Sequence, residues 1–600
     1  LKEGMEMAKE AAAIELIFDL VRGRTDGISK VDYAPQKPLF PDGPAGKALP
    51  RTSPESEGIA SARIEGLLRA LKESKTLHMH AVMILKNGNV IGEASFYPYQ
   101  KELWHMTYSM AKSVVSMAVG FLVSEGKLSL DTHIVDIFKK KLGLLGMIRQ
   151  KDLTVEHLLT MTSGVAFNEM GSVSGNDWLK GFLEAPVHHG AGESFEYNSM
   201  NTYVLSAIVT EVTGETLLDY LTPRLFEPLG ITKVFWESCP KGINKGGWGL
   251  FLTIEDMAKL GQMYLDHGRW EGRQVIPEGW VEASATSKVV PPEETGFSGY
   301  GYQIWMCGRP GSFAFNGMMG QNVFVYPDVD MVLVTTAGNE EFFNSNALQE
   351  VMETYLPKEG EGTERLPEDR NAYERLKRLQ ESLSKADKPS SALIRGGGWK
   401  RRKLRAEEWQ KQAQRLAGKR YVLDAVYAGL FPLMGQVFHN NYTQGIRELG
   451  FGAEQGEFLL EILEGETLHR LPIGFGDARY TSLDFHGEPY AAAVSGRFAR
   501  DEDGQLVLAV TVFYLEDAMK RLIKIRFQEE RILVSFDEVP GKRIILDGLA
   551  SLTDSVMERP LFRRLREKGN VDLVKVLMER TIEPVIEGRE KTGDAEQKFS

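Results

Sequence analysis

Hydrophobic positions change their period several times along the chain, and these changes divide it into regions. Residues 62–71 repeat apolar positions with a helical period, which predicts a helix. The stretch HAVMILKNGNVIGEASF has two strand-like runs around Asn87-Gly88, a two-residue turn that favours a β-hairpin. Helical patterns dominate from Ser109 to about Gly268, and strand patterns return in GYGYQIW and QNVFVYPDVDMVLVTTAG. This order predicts an α/β fold, an antiparallel sheet flanked by helices plus an all-α subdomain.

The chain beyond Pro357 follows other patterns. Residues 358–420 are rich in Glu, Lys and Arg, which indicates a charged linker with one or two exposed helices. Farther on, apolar positions alternate with a period close to two, which predicts a C-terminal antiparallel β domain. The predicted domains are a peripheral N-terminal extension over 1–55, the α/β domain over 56–357, the linker over 358–420, the β domain over 421–546 and a helical tail over 547–600.

Composition and charge exclude some partners. The net charge of −12 and the pI near 5.6 disfavour nucleic acid or an anionic membrane surface. Two cysteines, Cys239 and Cys307, are too few for a disulfide framework or a metal site. No apolar run reaches the roughly 18–20 residues that span a bilayer, and the N-terminal stretch lacks the features of a signal peptide. A cytoplasmic location is therefore expected, or a secreted one if a signal upstream of Leu1 has been removed.

Ser-x-x-Lys pairs are the candidate chemistry of this chain. Such a pair can activate a serine if the serine begins a helix, the lysine lies one turn on, and burial lowers the pKa of the lysine. Four pairs occur: Ser109/Lys112, Ser124/Lys127, Ser238/Lys241 and Ser382/Lys385.

The context of each pair separates the first from the others. Only Ser109/Lys112 is followed by an apolar helix, SVVSMAVGFLV, that would bury the lysine. The second pair lies at a helix stop signal, the third encloses Cys-Pro, and the fourth lies in the charged linker. A lone pair is more often a surface serine and lysine on a core helix, so other segments have to support it.

Two segments give that support. FEYNSMNTYVLSAIVTEVTG places Tyr197 in a polar loop before a helix, where a tyrosine can carry a proton if a nearby cation lowers its pKa. FAFNGMMGQNVFVYPDVDMVLVTTAG places Gly317 and Gly320 where a backbone can approach a ligand closely. A buried loop tyrosine and an ordinary glycine-containing strand are the plainer interpretations, so neither segment decides the function alone.

His78 and His80 form a His-x-His pair on a predicted strand, without an evident third ligand. Half-exposed strand histidines are the preferred interpretation, and no metal or other cofactor is expected.

Taken in this order, the motifs resemble those of the serine β-lactamase-like hydrolases: class C β-lactamases, DD-peptidases, and related esterases and amidases. The matching segments run from about Glu57 to Gly338 and include PESEGIASARIEGLL, SMAKS, LTVEHLLTMTSGV, YNSMNTYVLSAIVTEVTG, GGWGLFLTIEDMAKLGQMYLDHGRWEGRQVI and GQNVFVYP. The resemblance implies the β-lactamase/DD-peptidase-like fold. The C-terminal β domain is similar to the lipocalin-like accessory domains of some of these hydrolases.

The resemblance also implies the roles of the site residues. Ser109 would be the nucleophile, Lys112 the base that activates it, and Tyr197 the second proton carrier. The oxyanion hole would consist of the backbone N–H groups of Ser109 and about Met318. Gln321, close to that strand, is given no chemistry.

One departure from the family lies beside Tyr197. The Tyr-x-Asn motif reads Tyr197-Asn198-Ser199, so a hydroxyl replaces the amide that contacts the substrate, or the role passes to Asn198 or Asn201. Asn198 and Ser199 are therefore expected substrate contacts.

A second departure lies on the predicted strand. The Lys-Thr-Gly or His-x-Gly motif reads Phe315-Asn316-Gly317, and these three residues are the other expected substrate contacts. The cation or imidazole that would face a substrate carboxylate is absent, and losing a charged hydrogen bond costs about 1.5–3 kcal/mol. Efficient β-lactamase activity is therefore disfavoured.

The YNSxNT form resembles the branch described as esterases or as hydrolases of 6-aminohexanoate oligomers. A small ester or linear amide is the expected substrate. A D-amino-acid peptidase or weak β-lactamase stays an alternative, as does a non-catalytic binding or sensing protein that has kept the fold. The accessory β domain is expected to shape the active-site mouth or to mediate a homodimer.

Overall fold

The computed structural model describes residues 31–42, 46–173, 175–341, 344–386, 402–403, 406–426, 428–541 and 584–591. These residues form two compact units. The first unit contains residues 31–385 and 516–518, and the second contains the described parts of 386–515 and 519–600. Residues 1–30 of the predicted N-terminal extension and residues 547–583 of the predicted helical tail lie outside the described residues.

Strands of the first unit follow the predicted order. They are β1 (Met79–Lys86), β2 (Asn89–Ser95), β3 (His105–Met106), β4 (Phe235–Trp236), β5 (Leu250–Leu252), β6 (Arg269–Trp270), β7 (Arg273–Gln274), β8 (Gly299–Tyr300), β9 (Trp305–Met306), β10 (Phe313–Gly317), β11 (Gln321–Tyr326) and β12 (Met331–Ala337). Seven of the described strands form the central antiparallel sheet in the order β2-β1-β12-β11-β10-β9-β8. At the predicted hairpin turn, Asn87 and Gly88 have φ values of 51° and 76°, which confirms the turn between β1 and β2.

Helices of the first unit lie before, inside and after the strand sequence. They are α1 (Ser61–Glu73), α2 (Ala111–Ser124), α3 (Ile134–Ile137), α4 (Leu144–Arg149), α5 (Val155–Leu159), α6 (Trp178–Leu183), α7 (Ser199–Thr213), α8 (Leu217–Leu221), α9 (Ile254–Leu265), α10 (Trp280–Ser284), α11 (Asn346–Tyr355) and α12 (Arg370–Leu383). Helices α2 to α8 form the inserted helical region that the sequence predicts, and the α/β fold class is confirmed.

Helices cover both faces of the central sheet. Helices α1, α11 and α12 bury one apolar cluster against it, to which Leu68, Leu348 and Leu376 contribute. Helix α9 lies on the opposite face, where Gly261 touches Val323 and Val332. These valines alternate along their strands with residues of the first cluster, as the two-residue period of a strand requires.

Two segments predicted to be peripheral belong to the first unit. Within the predicted linker, α12 packs on α1 and buries Leu376 and Leu383. Within the predicted N-terminal extension, the Lys37 side chain is fully buried and forms an ion pair with Glu516 at 2.8 Å. Both predictions missed long-range packing, because a few apolar positions in a charged stretch are a weak signal.

The second unit is built around an antiparallel sheet. Its strands are β13 (Arg402–Lys403), β14 (Arg420–Leu423), β15 (Ile446–Glu454), β16 (Glu457–Glu464), β17 (Thr467–Pro472), β18 (Arg479–Phe485), β19 (Glu488–Arg500), β20 (Leu506–Tyr514), β21 (Lys520–Gln528), β22 (Arg531–Val539) and β23 (Val585–Glu590), with helices α13 (Ala406–Leu416) and α14 (Leu433–His439). The described order is β13-β19-β20-β21-β22-β23-β14-β15-β16-β17, with β18 paired to β19.

Strand β23 corrects the predicted tail. Residues 585–590, assigned by the sequence to a helical region over 547–600, instead pair with β22 and β14. The segment VIEGRE buries only alternate positions, such as Ile586 and Gly588, which is too short a pattern to recognise. The antiparallel β domain is confirmed, and its lipocalin-like character stays a prediction.

Among the described residues, every helix is too short or too polar to cross a membrane.

Candidate active site

Ser109 lies in a tight turn between β3 and α2. The turn is a short 3₁₀ segment, Tyr108–Met110, that leads directly into the apolar helix. Tyr108 has a φ of 49°, a left-handed conformation that is uncommon for a bulky residue. Thr107 anchors the turn, because both its N–H and its hydroxyl donate to the carbonyl of Leu250, at 2.8 and 2.9 Å. Ser109 is half-buried in this turn, two residues before the first residue of α2.

Lys112 lies one helical turn after Ser109 and contacts it directly. Its Nζ is 2.7 Å from Ser109 Oγ and 2.8 Å from the carbonyl oxygen of Gly247. The side chain is buried, and burial lowers its pKa to about 7, against an opposing effect of the nearby Glu169. A share of Lys112 is therefore neutral near pH 7 and can accept the Ser109 proton.

Tyr197 completes the cluster from the loop before α7. Its side chain lies beside Ser109, and Lys112 Nζ lies 5.0 Å from the centre of its ring. Burial is the largest effect on Tyr197 and raises its pKa, although the neighbouring Ser109 hydroxyl acts in the opposite direction. The condition that a cation lowers the pKa of Tyr197 is therefore not met. The phenol keeps its proton and is suited to donate it.

The end of β10 lies against the Ser109 turn. A Cβ atom on Gly317 would stand 2.3 Å from the carbonyl oxygen of Thr107, so the strand can approach the turn only with glycine there. Met318 follows Gly317 and begins a short 3₁₀ turn. Gln321 fixes this turn by donating to the carbonyls of Met318 at 2.9 Å and Ala337 at 3.0 Å. Its role is structural.

Comparison with known proteins identifies this arrangement. Residues 64–349 match the family described as Beta-lactamase. The chain contains a β-lactamase family domain. Over 309 residues it is 27% identical to a 6-aminohexanoate-dimer hydrolase of Paenarthrobacter ureafaciens, covering 46% of this chain and 75% of that protein.

Other relatives belong to the penicillin-binding proteins. Penicillin-binding protein 4 of Amycolatopsis lactamdurans is 26% identical over 213 residues, which cover 30% of this chain and 54% of that protein. A penicillin-binding protein structure from Bacillus halodurans is similar with 20% identity and a TM-score of 0.39, covering 48% of this chain and 97% of that one. The family match over residues 64–349 and the 6-aminohexanoate-dimer hydrolase relative indicate a hydrolase of the serine β-lactamase-related type.

Two predicted substrate contacts beside Tyr197 have other uses in the β-lactamase family domain. Asn198 caps α7: its Oδ1 accepts from the Met200 N–H, and its Nδ2 donates to the carbonyls of Val165 and Phe167. The alternative residue Asn201 is buried, and its Oδ1 accepts from the Ser163 hydroxyl at 2.7 Å. The polar atoms of both amides are therefore already engaged within the protein.

Ser199 contacts a residue that is hydrogen-bonded to Lys112. Its backbone packs against Gly247, the glycine whose carbonyl accepts from Lys112. Its N–H donates to Glu169 Oε1 at 2.8 Å.

The side chains of Phe315 and Asn316 point to opposite faces of β10. The ring of Phe315 is buried 5.0 Å from that of Tyr264, on the helix α9. Asn316 points to the other face of β10 and accepts from the Ser345 hydroxyl at 3.2 Å. Of the predicted Phe315-Asn316-Gly317 contacts, the structure brings Gly317 to the Ser109 turn.

Two important groups were missed by the sequence interpretation. Glu169 raises the pKa values of both Lys112 and Tyr197, and among the described residues it is the only carboxylate that does so. Helix α6 and two loops separate it from Tyr197 in sequence, and no spacing marks it. Gly247 belongs to the segment GGWGLF, and its closely spaced glycines could have indicated a close approach of the backbone to the site.

An aromatic cluster surrounds Tyr197. The ring centres of Tyr197 and Trp305 are 5.5 Å apart, and Tyr300 lies 4.7 Å from Trp305. Phe195 and Phe297 also pack against Trp305. The cluster packs Tyr197 against the hydrophobic core of the first unit.

The remaining candidate residues lie outside the group formed by Ser109, Lys112 and Tyr197. Lys127 is half-exposed and ion-paired with Glu125 at 2.7 Å, as expected for a pair without catalytic function. His80 contacts His105 at 3.1 Å and stacks on Tyr99, whereas His78 lies 3.6 Å from Glu340.

Proposed function

We propose that the protein is an acyl-serine hydrolase of small esters or linear amides, with Ser109 as nucleophile. The observation that carries the proposal is the 2.7 Å contact between Ser109 Oγ and a buried Lys112 whose pKa is about 7. A lysine with an ordinary pKa would be protonated at neutral pH and could not act as a base.

The proposed acylation moves one proton at each step. Neutral Lys112 accepts the Ser109 hydroxyl proton while Oγ attacks the carbonyl carbon. The N–H groups of Ser109 and Met318 stabilise the oxyanion. Tyr197 donates its proton to the leaving oxygen or nitrogen and is reprotonated from Lys112. Tyr197 then helps water attack the acyl-enzyme, and the proton that water loses passes to the departing Ser109 Oγ, which releases the acid and restores the serine hydroxyl.

The substrate class rests on charge and apolar contact. Tyr197 packs on the buried core residues Tyr300 and Trp305, and these apolar surroundings of the reacting groups favour an apolar acyl or amine portion. Glu169 places a negative charge near Lys112, and Phe315 offers no cation, so a substrate carboxylate is disfavoured. The similarity to a 6-aminohexanoate-dimer hydrolase supports a linear amide.

A fluorophosphonate probe with intact-mass detection tests the nucleophile. We expect one adduct on the wild-type chain and none on Ser109→Ala. Ser124→Ala is the matched control, because Ser124 belongs to an exposed Ser-x-x-Lys pair, and it should label normally. An unlabelled wild-type protein, beside a control hydrolase that labels, would favour the non-catalytic binding alternative.

A substrate panel tests the proposed class. Small esters and linear amides should be hydrolysed faster than D-amino-acid peptides or cephalosporins. Fast cephalosporin turnover would contradict the argument from Phe315, and preference for D-peptides would favour the peptidase alternative.

Location and assembly complete the proposal. The two cysteines are buried free thiols, which supports a cytoplasmic location. A homodimer stays a prediction.

A further inference from the structure

A tripeptide far along the chain belongs to the first unit. Residues 516–518, Glu-Asp-Ala, follow β20 in sequence but are part of the unit formed by residues 31–385. All three are buried. The segment contacts the stretch immediately before Ser109, whereas the family match ends at residue 349.

Glu516 anchors the tripeptide. Its two carboxylate oxygens are used by different donors: Lys37 Nζ at 2.8 Å and the indole N–H of Trp104. Its carbonyl accepts from the Met106 N–H at 2.9 Å, so the backbone is tied to β3. Gly338, at the end of β12, leaves room for Ala518, since a Cβ there would lie 2.5 Å from the Ala518 carbonyl oxygen.

Asp517 reaches the turn itself. Its Oδ1 accepts from the hydroxyl of Tyr108, the residue directly before Ser109, and from the Ala518 N–H at 2.6 Å. Tyr108 is the residue with the left-handed φ of 49°. A conformation of this kind persists only where surrounding contacts hold it. A buried carboxylate that accepts from the hydroxyl is a strong contact of that type.

We propose that Asp517 is a positioning residue for Ser109: its bond to Tyr108 holds the strained turn that aims the nucleophile. The inference rests on the proposed role of Ser109. Asp517 touches neither Ser109 nor Lys112, so it acts only through the geometry of the turn. The position of Ser109 in the first unit therefore depends on residues beyond the part of the chain that matches the family.

Asp517→Asn in the full chain tests the proposal, because asparagine keeps the shape but removes the charge of the acceptor. We expect the rate of fluorophosphonate labelling at Ser109 to fall about 10- to 100-fold, as for a misplaced reacting group. For a small ester, kcat should fall while KM stays constant, since the bond orients Ser109 and Asp517 is not a substrate contact. A residue that only stabilised the fold would not separate kcat from KM in this way.

Tyr108→Phe removes the other partner of the same bond. It should slow labelling to a similar extent, and the double variant should lose no more than either single one. Asp501→Asn is the matched control, because Asp501 is a buried turn carboxylate of the second unit that accepts from the Gln505 N–H at 2.8 Å. Its labelling rate should equal that of the wild type.

Wild-type labelling by folded Asp517→Asn protein, or losses that add in the double variant, would overturn the inference. If Asp517→Asn does not fold, Tyr108→Phe decides by the same rate criterion. Failure of the wild-type chain to label at Ser109 would instead contradict the proposed function, so the two failures are distinguishable.

Discussion

At the scale of single residues, two opposing effects set the proton affinity of Lys112. Burial disfavours the ammonium form, and the Glu169 carboxylate favours it. With burial dominant, the pKa falls from its ordinary value of 10.5 to about 7. The basic form therefore increases as the pH rises through neutrality, and the proposed acylation should become faster over the same range.

Glu169→Gln changes this balance in a predictable direction. Removing the negative charge takes away the effect that raises the pKa of Lys112, so the pKa should fall further. The acidic limb of the pH profile of kcat/KM, expected near pH 7 in the wild type, should move to lower pH.

Glu211→Gln provides the comparison for that profile. Glu211 lies on α7 and pairs with the exposed Lys141, away from the catalytic cluster. In Glu211→Gln, the acidic limb of the kcat/KM profile should stay at the pH of the wild type. An acidic limb that stays in place or moves to higher pH in Glu169→Gln would show that Lys112 is not the group that titrates.

At the scale of elements, the approach of β10 to the Ser109 turn is the decisive packing contact. Gly317 has an extended backbone, with φ at −118°, so other residues could adopt its conformation. Glycine is required there for space, because the Thr107 carbonyl occupies the position of a Cβ.

Gly317→Ala should therefore separate strand and turn and displace the oxyanion donors. We expect slower fluorophosphonate labelling, by about 100-fold, in a protein that still folds. Gly308→Ala is the control, since a Cβ at Gly308 meets nothing within 4 Å. Equal labelling of both variants would contradict the proposed oxyanion hole.

Local elements were the part of this molecule that sequence could predict. The spacing of Ser109 and Lys112 places both on one helix, and Asn87-Gly88 specifies its hairpin turn without help from the rest of the chain. Glu169 and Asp517 could not be predicted, because they reach the site only through tertiary packing. Asn198 misled the interpretation, since the same residue type serves as a substrate contact or as a helix cap.

At the scale of the whole molecule, β23 connects distant parts of the second unit. It pairs with β22 on one side and β14 on the other, so the described sheet is continuous only with this strand in place. Ile586 is its buried anchor, whereas the neighbouring Val585 is 62% exposed.

Ile586→Ala should lower the free energy of unfolding of the second unit by about 2–4 kcal/mol, because it leaves a cavity under the strand. Val585→Ala should change it by less than about 1 kcal/mol, as for a surface position. Urea unfolding of both variants measures the difference, and equal effects would show that β23 contributes little to the sheet.

The distance in sequence between Tyr108 and Asp517 has a consequence for synthesis. The two residues are 409 positions apart. At about 5–20 residues per second, a ribosome adds Asp517 roughly 20–80 s after Tyr108. If Asp517 has the proposed role, the nascent chain contains Ser109 long before it contains the residue that positions Ser109. On this role, the chain would acquire hydrolytic activity only after residues 516–518 have been added and have packed against the Ser109 turn.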